Sequence, residues 1–311
     1  MEQDVEGAWQ DAEARFATFT AFVDESHASA PEGNLDYATE LYSGWVLLAY
    51  AAHESALTGL GRAAMAVLAR NAPTPDALPE VMQEWHLRRT IAFANELSGV
   101  NAPRRRAGQV RLEDVVRRAY TSDWADVSIL MRLDANAWPS NVREWLSRLG
   151  VSGDQLRWMK DPHGQSTDTL ESRVSELVQE RNDLAHGIRP TSVRSADAMR
   201  EWSDAVLEFS RRVSEAIQVT LATSLKIDLK PIGVRADEEL GSNTAALATV
   251  ASQICVGGHV LCKGADGRVH HGRIVSIQCD GADLAEVAGG SERVAVTLNR
   301  PVEGMVLYAP I

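Results

Sequence analysis

Cysteine is scarce in this chain. Three are present among 311 residues: Cys255, Cys262 and Cys279. None stands in a C-x-x-C pair and the count is odd, which argues against a disulfide framework or a thiolate zinc site. Reduced thiols in the cytoplasm fit best. A secretory leader is also missing from "MEQDVEGAWQDAEARF", which is acidic and helical in pattern, with no basic start and apolar core. The greasiest stretch, "GWVLLAYAAHESALTGLG" over 44–61, carries His53 and Glu54 at its centre. A bilayer would penalise that glutamate heavily, so the stretch predicts a buried core helix and no membrane association. Positive charge does not dominate: the formal net charge is −12. That disfavours a general nucleic-acid coat protein but permits one local basic surface. Walker A, dinucleotide and G-x-S-x-G motifs are absent, and "HESAL" does not complete H-E-x-x-H. No cofactor and no metal is expected.

What is present has two textures. Residues 4–25 place Trp9, Ala12, Phe16, Phe19 and Val23 at helical spacing. A second helix is predicted over 34–70, ended by "NAPTP", and a mixed helical region over 76–98. "NAPRRRAGQVR" (101–111) reads as a basic loop, and "LEDVVRRAY" (112–120) as a short helix. Further helices are expected over 139–150, 168–186 and 197–224, the last with Trp202, Val206, Phe209, Val213, Ile217 and Leu221 in register. From Lys226 onward Val, Ile and Gly take over. "GRVHHGRIVSIQC", "ERVAVTLN" and "GMVLYAPI" read as short strands separated by Gly and Asp turns. Helices first and strands afterwards predict an α+β chain of two domains, residues 1–225 and 226–311.

The segment "ERNDLAHG" (180–187) raises the functional question. At about 100° per residue, Val174, Leu177, Val178, Leu184 and Ala185 all fall within roughly 60° of Arg181. Arg181 therefore sits in the middle of an apolar face, where an arginine must be paired or must meet a cleft or a partner. His186 follows on the last turn. Gly187 suits the position after the helix end, Pro190 blocks continuation, and Asp168 with Glu171 could box the start. A purely structural account has Arg181 holding an acid in the core and His186 capping the helix. A functional account has a forked cation for phosphate beside an imidazole that can move a proton.

These residues carry a resemblance. Arg181 through His186 fits the R-x(4–6)-H motif of the HEPN superfamily, with polar Asn182 directly after the arginine. "ELVQERNDLAHG" resembles the corresponding helix of the branch associated with RiboL-PSP-type RNA repair and defence. "AYAAHESAL" (49–57), with Glu54 matching a family glutamate, and "SNVREWLSRLG" (140–150) are similar to the same branch. The resemblance covers roughly 35–225 and implies a helical bundle with metal-independent endoribonuclease activity. It implies a homodimer whose two motif helices form one RNA cleft, often checked by a regulatory or antitoxin partner in phage defence, toxin–antitoxin or stress systems. By similarity Arg181 stabilises charge on the scissile phosphate, His186 moves a proton, and Asn182 positions either phosphate or histidine. The products would be a 2′,3′-cyclic phosphate and a 5′-OH. A non-catalytic dimerisation or RNA-binding scaffold is the alternative.

Glu54, the only acid between Gly44 and Met65, needs a partner in so apolar a run, and Arg181 is the expected one. His53 reads as a packing or hydrogen-bonded residue. Arg104, Arg105, Arg106 and Arg111, with Arg117 and Arg118, form the densest positive stretch and are candidate contacts to RNA phosphates. Trp138, Trp145 and Trp158 could stack on bases, although core packing accounts for such residues more often. Residues 267–311 resemble, more loosely, the β-barrel of translation-factor domain II. That resemblance implies a small barrel that directs the chain to tRNA or other translation-related RNA, or docks a partner.

Overall fold

The computed structural model describes residues 4–29, 35–98, 117, 121, 124, 136–163, 167–190, 192–225, 227–302 and 304–311. The chain divides into two compact units, Met1–Ile217 and Gln218–Ile311. The division falls inside the last helix, upstream of the change in texture at 226. The physical reason is apolar: Ala222 near the end of that helix clusters with Leu229, Leu261 and Val269, and Val219 packs on the same group.

The first unit is helical. Its described helices are α1 (Val5–Ala28), α2 (Leu35–Asn71), α3 (Glu80–Ser98), α4 (Pro139–Arg148), α5 (Leu170–Ala185) and α6 (Ala196–Ser224), the last running on into the second unit. Asp4 starts α1 by accepting a bond from the Gly7 amide at 2.7 Å. The α1 stripe of Trp9, Ala12, Phe16, Phe19 and Val23 is buried, and α1 packs along α2. α2 buries a broad face, including Tyr42, Val46, Tyr50, His53 and Leu57, which accounts for its apolar composition. α6 buries Trp202, Val206, Phe209, Val213, Ile217 and Leu221, the register expected of it.

His53 is fully buried. Its Nδ1 lies 3.3 Å from the Ser210 hydroxyl, and its ring meets Phe209 edge-on. Burial pushes the imidazole down to about 4, only partly opposed by the Ala137 backbone, so it is neutral at pH 7. Among the described residues no helix is long and apolar enough to cross a membrane.

The second unit is a nearly closed antiparallel barrel. Its strands are β1 (Gly233–Glu239), β2 (Thr244–Val250), β3 (Ile254–Cys255), β4 (His259–Lys263), β5 (Val269–Cys279), β6 (Ala282–Leu284), β7 (Glu286–Val287), β8 (Glu292–Leu298) and β9 (Val306–Tyr308). The main sheet runs β1-β2-β8-β5-β4-β9, with β6 on β5 and a separate β3-β7 pair. Asp280 and Gly281, both with positive φ, form the two-residue turn that joins β5 to β6. The ends of the sheet meet where Pro231 bridges Tyr308 and the Ile232 amide donates to Leu307 at 3.0 Å. Beside this seam Arg235 donates to the carbonyls of Val302 (3.2 Å) and Met305 (2.7 Å). Those bonds satisfy backbone that no strand pairs. The core is aliphatic, built from residues such as Leu247, Ile274, Ile277, Val294 and Val296. Cys255, Cys262 and Cys279 are all free thiols.

Candidate functional site

The site is assembled on α5. Its start is capped by Thr169, whose hydroxyl oxygen accepts from the Ser172 amide at 3.1 Å. The cap is thus one residue later than the Asp168 box expected from sequence. Asp168 instead pairs with Arg173 at 3.1 Å, which draws its carboxylate away from the helix start. The first half of α5 buries Leu170, Val174, Leu177 and Val178.

The helix closes at His186, with Gly187 in the left-handed region at φ +77°. Gly187 N–H donates to Leu184 O at 3.0 Å and Ile188 N–H to Asp183 O at 2.9 Å. This is the Schellman arrangement, in which the residue after the cap turns left-handed and glycine does so without strain.

At Arg181 the apolar face changes character. The side chain is half-buried, and its guanidinium carbon lies 4.7 Å from the centre of the Tyr50 ring. A cation over an aromatic face is held by the ring quadrupole as well as by apolar contact of its stem. So the arginine occupies the apolar stripe because the stripe ends there on an aromatic platform. Tyr50 is buried, and its hydroxyl accepts from the Ala137 amide at 3.2 Å. Burial pushes the Tyr50 phenol up and Glu54 adds to this, while Ala137 and Arg181 oppose it; the ring stays neutral.

Beside the guanidinium lies Asn182. Its Oδ1 accepts from Arg181 Nη1 at 3.1 Å and from Asn136 Nδ2 at 2.7 Å. Asn136 was not singled out in the sequence, and nothing in its local pattern marks it. It stands just before α4, where its carbonyl accepts from the Trp138 amide at 2.7 Å and from Asn141 Nδ2 at 2.8 Å. Only the fold brings it to the motif, 46 positions before Asn182.

His186 is exposed at the C-terminal end of α5, about 7.5 Å along the axis from Arg181. Its backbone is committed to the helix end, and its imidazole has no hydrogen-bond partner among the described residues. One turn beyond Arg181 lies Ala185, small and exposed. Among the described residues Arg181 pairs with no carboxylate.

The expected pairing of Glu54 with Arg181 is therefore not formed within the chain. Glu54 is exposed on α2 and lines a groove of about 410 Å³ with Asp11, Arg15, Ser55 and Arg62. The apolar run around it misled: α2 buries Tyr50, His53 and Leu57 but leaves Ala51, Glu54 and Thr58 in water. The acid that α5 does hold is Glu180. It accepts from the Tyr42 hydroxyl and, at 3.2 Å, from Arg194, whose guanidinium also stacks 4.3 Å from Trp202 and reaches Glu176 at 3.2 Å. This network ties α5 to α2 and to the segment that follows the motif.

The remaining candidates lie elsewhere. Arg104, Arg105, Arg106, Arg111 and Arg118 fall outside the described residues, and Arg117 is exposed. Trp145 is buried, while Trp158 is half-buried and meets Phe209 edge-on at 5.2 Å. Among the described residues no three potential metal-ligating side chains converge.

The model of the RiboL-PSP-HEPN family matches residues 14–219, roughly two thirds of the chain, from within α1 to within α6, so the chain belongs to that family. Membership points to a nuclease or RNA-binding role. No curated protein and no solved structure gave a match.

Proposed function

We propose, taking that membership as the premise, that the protein is an endoribonuclease that needs no metal and works through Arg181 and His186. One observation carries the reading: Arg181 is held on Tyr50 with no carboxylate partner among the described residues, on the same helix end as an exposed histidine. A guanidinium so placed has donors to spare for a phosphate, and it costs little reorganisation when charge develops there. His186 takes the proton of a ribose 2′-OH as its oxygen attacks phosphorus. The 5′-oxygen of the next nucleotide leaves and is protonated, giving a 2′,3′-cyclic phosphate and a 5′-OH. Asn182 contributes a further donor to the phosphate. Glu54 has no contact with the motif that would give it a step.

The family's habit of pairing two HEPN domains favours a homodimer with RNA bound between motif helices. Phage defence, toxin–antitoxin and stress response are the settings we favour, in the cytoplasm, with a regulatory protein partner. The barrel would direct the chain to tRNA or other translation-related RNA. The second reading, a non-catalytic RNA-binding or dimerisation scaffold, is favoured by one feature: His186 has no described group that orients its ring.

The test is RNA cleavage in EDTA by wild type, Arg181→Ala and His186→Ala, with end mapping. Cleavage to cyclic-phosphate ends by wild type alone is the expected result. Equal cleavage by all three would refute the assignment, and none by wild type would favour the scaffold.

A further inference from the structure

We infer that Asn136, outside the motif, is a positioning residue: it fixes the Asn182 carboxamide so that its NH2 group, not its oxygen, faces an anion bound beside Arg181. This deepens the proposed function and rests on it for the identity of the anion as an RNA phosphate.

Hydrogen-bond polarity sets the orientation of the Asn182 amide. An arginine is a donor only, and an asparagine amide has one accepting and one donating end. Arg181 Nη1 lies 3.1 Å from one end of the Asn182 amide, so that end must be oxygen. Asn136 Nδ2 donates to the same atom at 2.7 Å. With the amide turned over, its NH2 would face the guanidinium, donor against donor. Arg181 therefore sets Oδ1 inward, Asn136 presents its NH2 to the same atom and holds it there, and Asn182 Nδ2 makes no bond among the described residues. The Asn136 backbone is itself anchored, because its main-chain carbonyl accepts two bonds at the start of α4.

The result is a donor-only edge, the guanidinium and the Asn182 NH2, with the small side chain of Ala185 next to it. Such an edge suits a phosphodiester and repels a cation. A residue that merely stabilised the fold would have no reason to control which end of Asn182 points outward.

The experiment uses the full chain and an RNA oligonucleotide with 2′-fluoro substitutions throughout, which keeps the phosphates and the ribose-like pucker but lacks the attacking hydroxyl. Fluorescence anisotropy gives its affinity, melting temperature is recorded alongside, and the all-ribose oligonucleotide reports cleavage. Asn182→Asp keeps an inward oxygen for Asn136 and Arg181 but puts a second oxygen outward. It should melt like wild type and bind about tenfold more weakly or worse. Asn136→Asp places an acceptor against Asn182 Oδ1 in competition with the Arg181 donor, displaces the amide from its inward orientation, and should cost about as much. Asn136→Ala leaves Arg181 as the one described donor holding Oδ1 inward, loosens the amide and should cost roughly threefold.

A melting temperature that moves while affinity stays put, in either Asn136 variant, overturns the positioning role. Asn136→Ala keeps that test available should Asn136→Asp fold poorly. Affinity indifferent to Asn182→Asp, or no binding by wild type, overturns the donor edge itself. Binding that follows both asparagines, with no cleavage by any form, leaves the inference standing and refutes the nuclease.

Discussion

The two units bury different kinds of residue. The helical unit encloses His53, His86, Arg148, Ser203 and Ser210; in the second unit the buried polar residues Gln218 and Thr220 lie on the end of α6, and the barrel core itself is made of Val, Ile, Leu, Ala and one cysteine. Apolar contacts are non-directional and hold a shape. Buried polar groups must find partners, so each one fixes an orientation. The same logic operates at the motif, where Tyr50, Ala137, Asn136 and Asn182 are linked to Arg181 by directional contacts. The difference teaches which unit is built to aim side chains.

The largest expected effect tests that division directly. Arg181→Ala should lower RNA cleavage about a thousandfold, within the range for loss of a group that stabilises developing charge. Arg181→Lys should not restore it, because a point charge cannot keep the Asn182 bond, the Tyr50 contact and a phosphate together. Cleavage kinetics on purified, folded variants decide the matter, and activity retained by the lysine form would contradict the forked geometry.

On the other side, Ile277→Ala in the barrel core should cost about 3 kcal/mol of stability, as buried aliphatic truncations do. Urea unfolding measures it. The comparison breaks if this substitution also abolishes cleavage of a short unstructured RNA while the helical unit remains folded.

His53 gives the helical core an acid-side pH dependence, whereas the titratable group of the barrel core, Cys262, is pushed up by burial to about 11 and acts on the alkaline side. The His53 imidazole is held down to about 4 in the folded state, so the unfolded chain binds more protons below its ordinary value near 6.5. Stability is therefore full above about pH 6.5 and is lost as pH falls towards 4, by roughly 3 kcal/mol. His53→Leu should flatten that part of the profile. Thermal unfolding between pH 4 and 7 checks it, and an unchanged slope would remove His53 as the cause.

The smallest effect concerns the end of α5. Gly187→Ala forces a β-carbon into the left-handed region and should cost about 1 kcal/mol. It should also lower cleavage severalfold, since His186 is the residue before it. Unfolding and cleavage assays on the one variant separate the two, and intact activity would mean that the cap does not set the histidine.

Much of this was legible beforehand. The stripes of α1 and α6, the bounds of α2, and Gly187 as the residue after the motif helix all follow from spacing and capping chemistry, which are local. Strand β5 and the Asp-Gly turn behind it were legible for the same reason. Strand β2 was not: Ala245, Ala246 and Leu247 are buried in succession, and small alanines hide the alternation a strand normally shows. The Glu54 pairing failed because an apolar run reveals that a helix is buried, not which of its positions escapes burial.

The sequence by itself determined the helical stripes, the change to strands, and the six-residue spacing that puts an arginine and a histidine on one helix end. Only the tertiary structure decided what surrounds them. The Tyr50 ring comes from α2 and the Asn136 amide from the segment before α4, each far from Arg181 along the chain. Their identity as partners depends on packing between helices, and directional bonds across such packing leave no periodic trace in the chain that makes them.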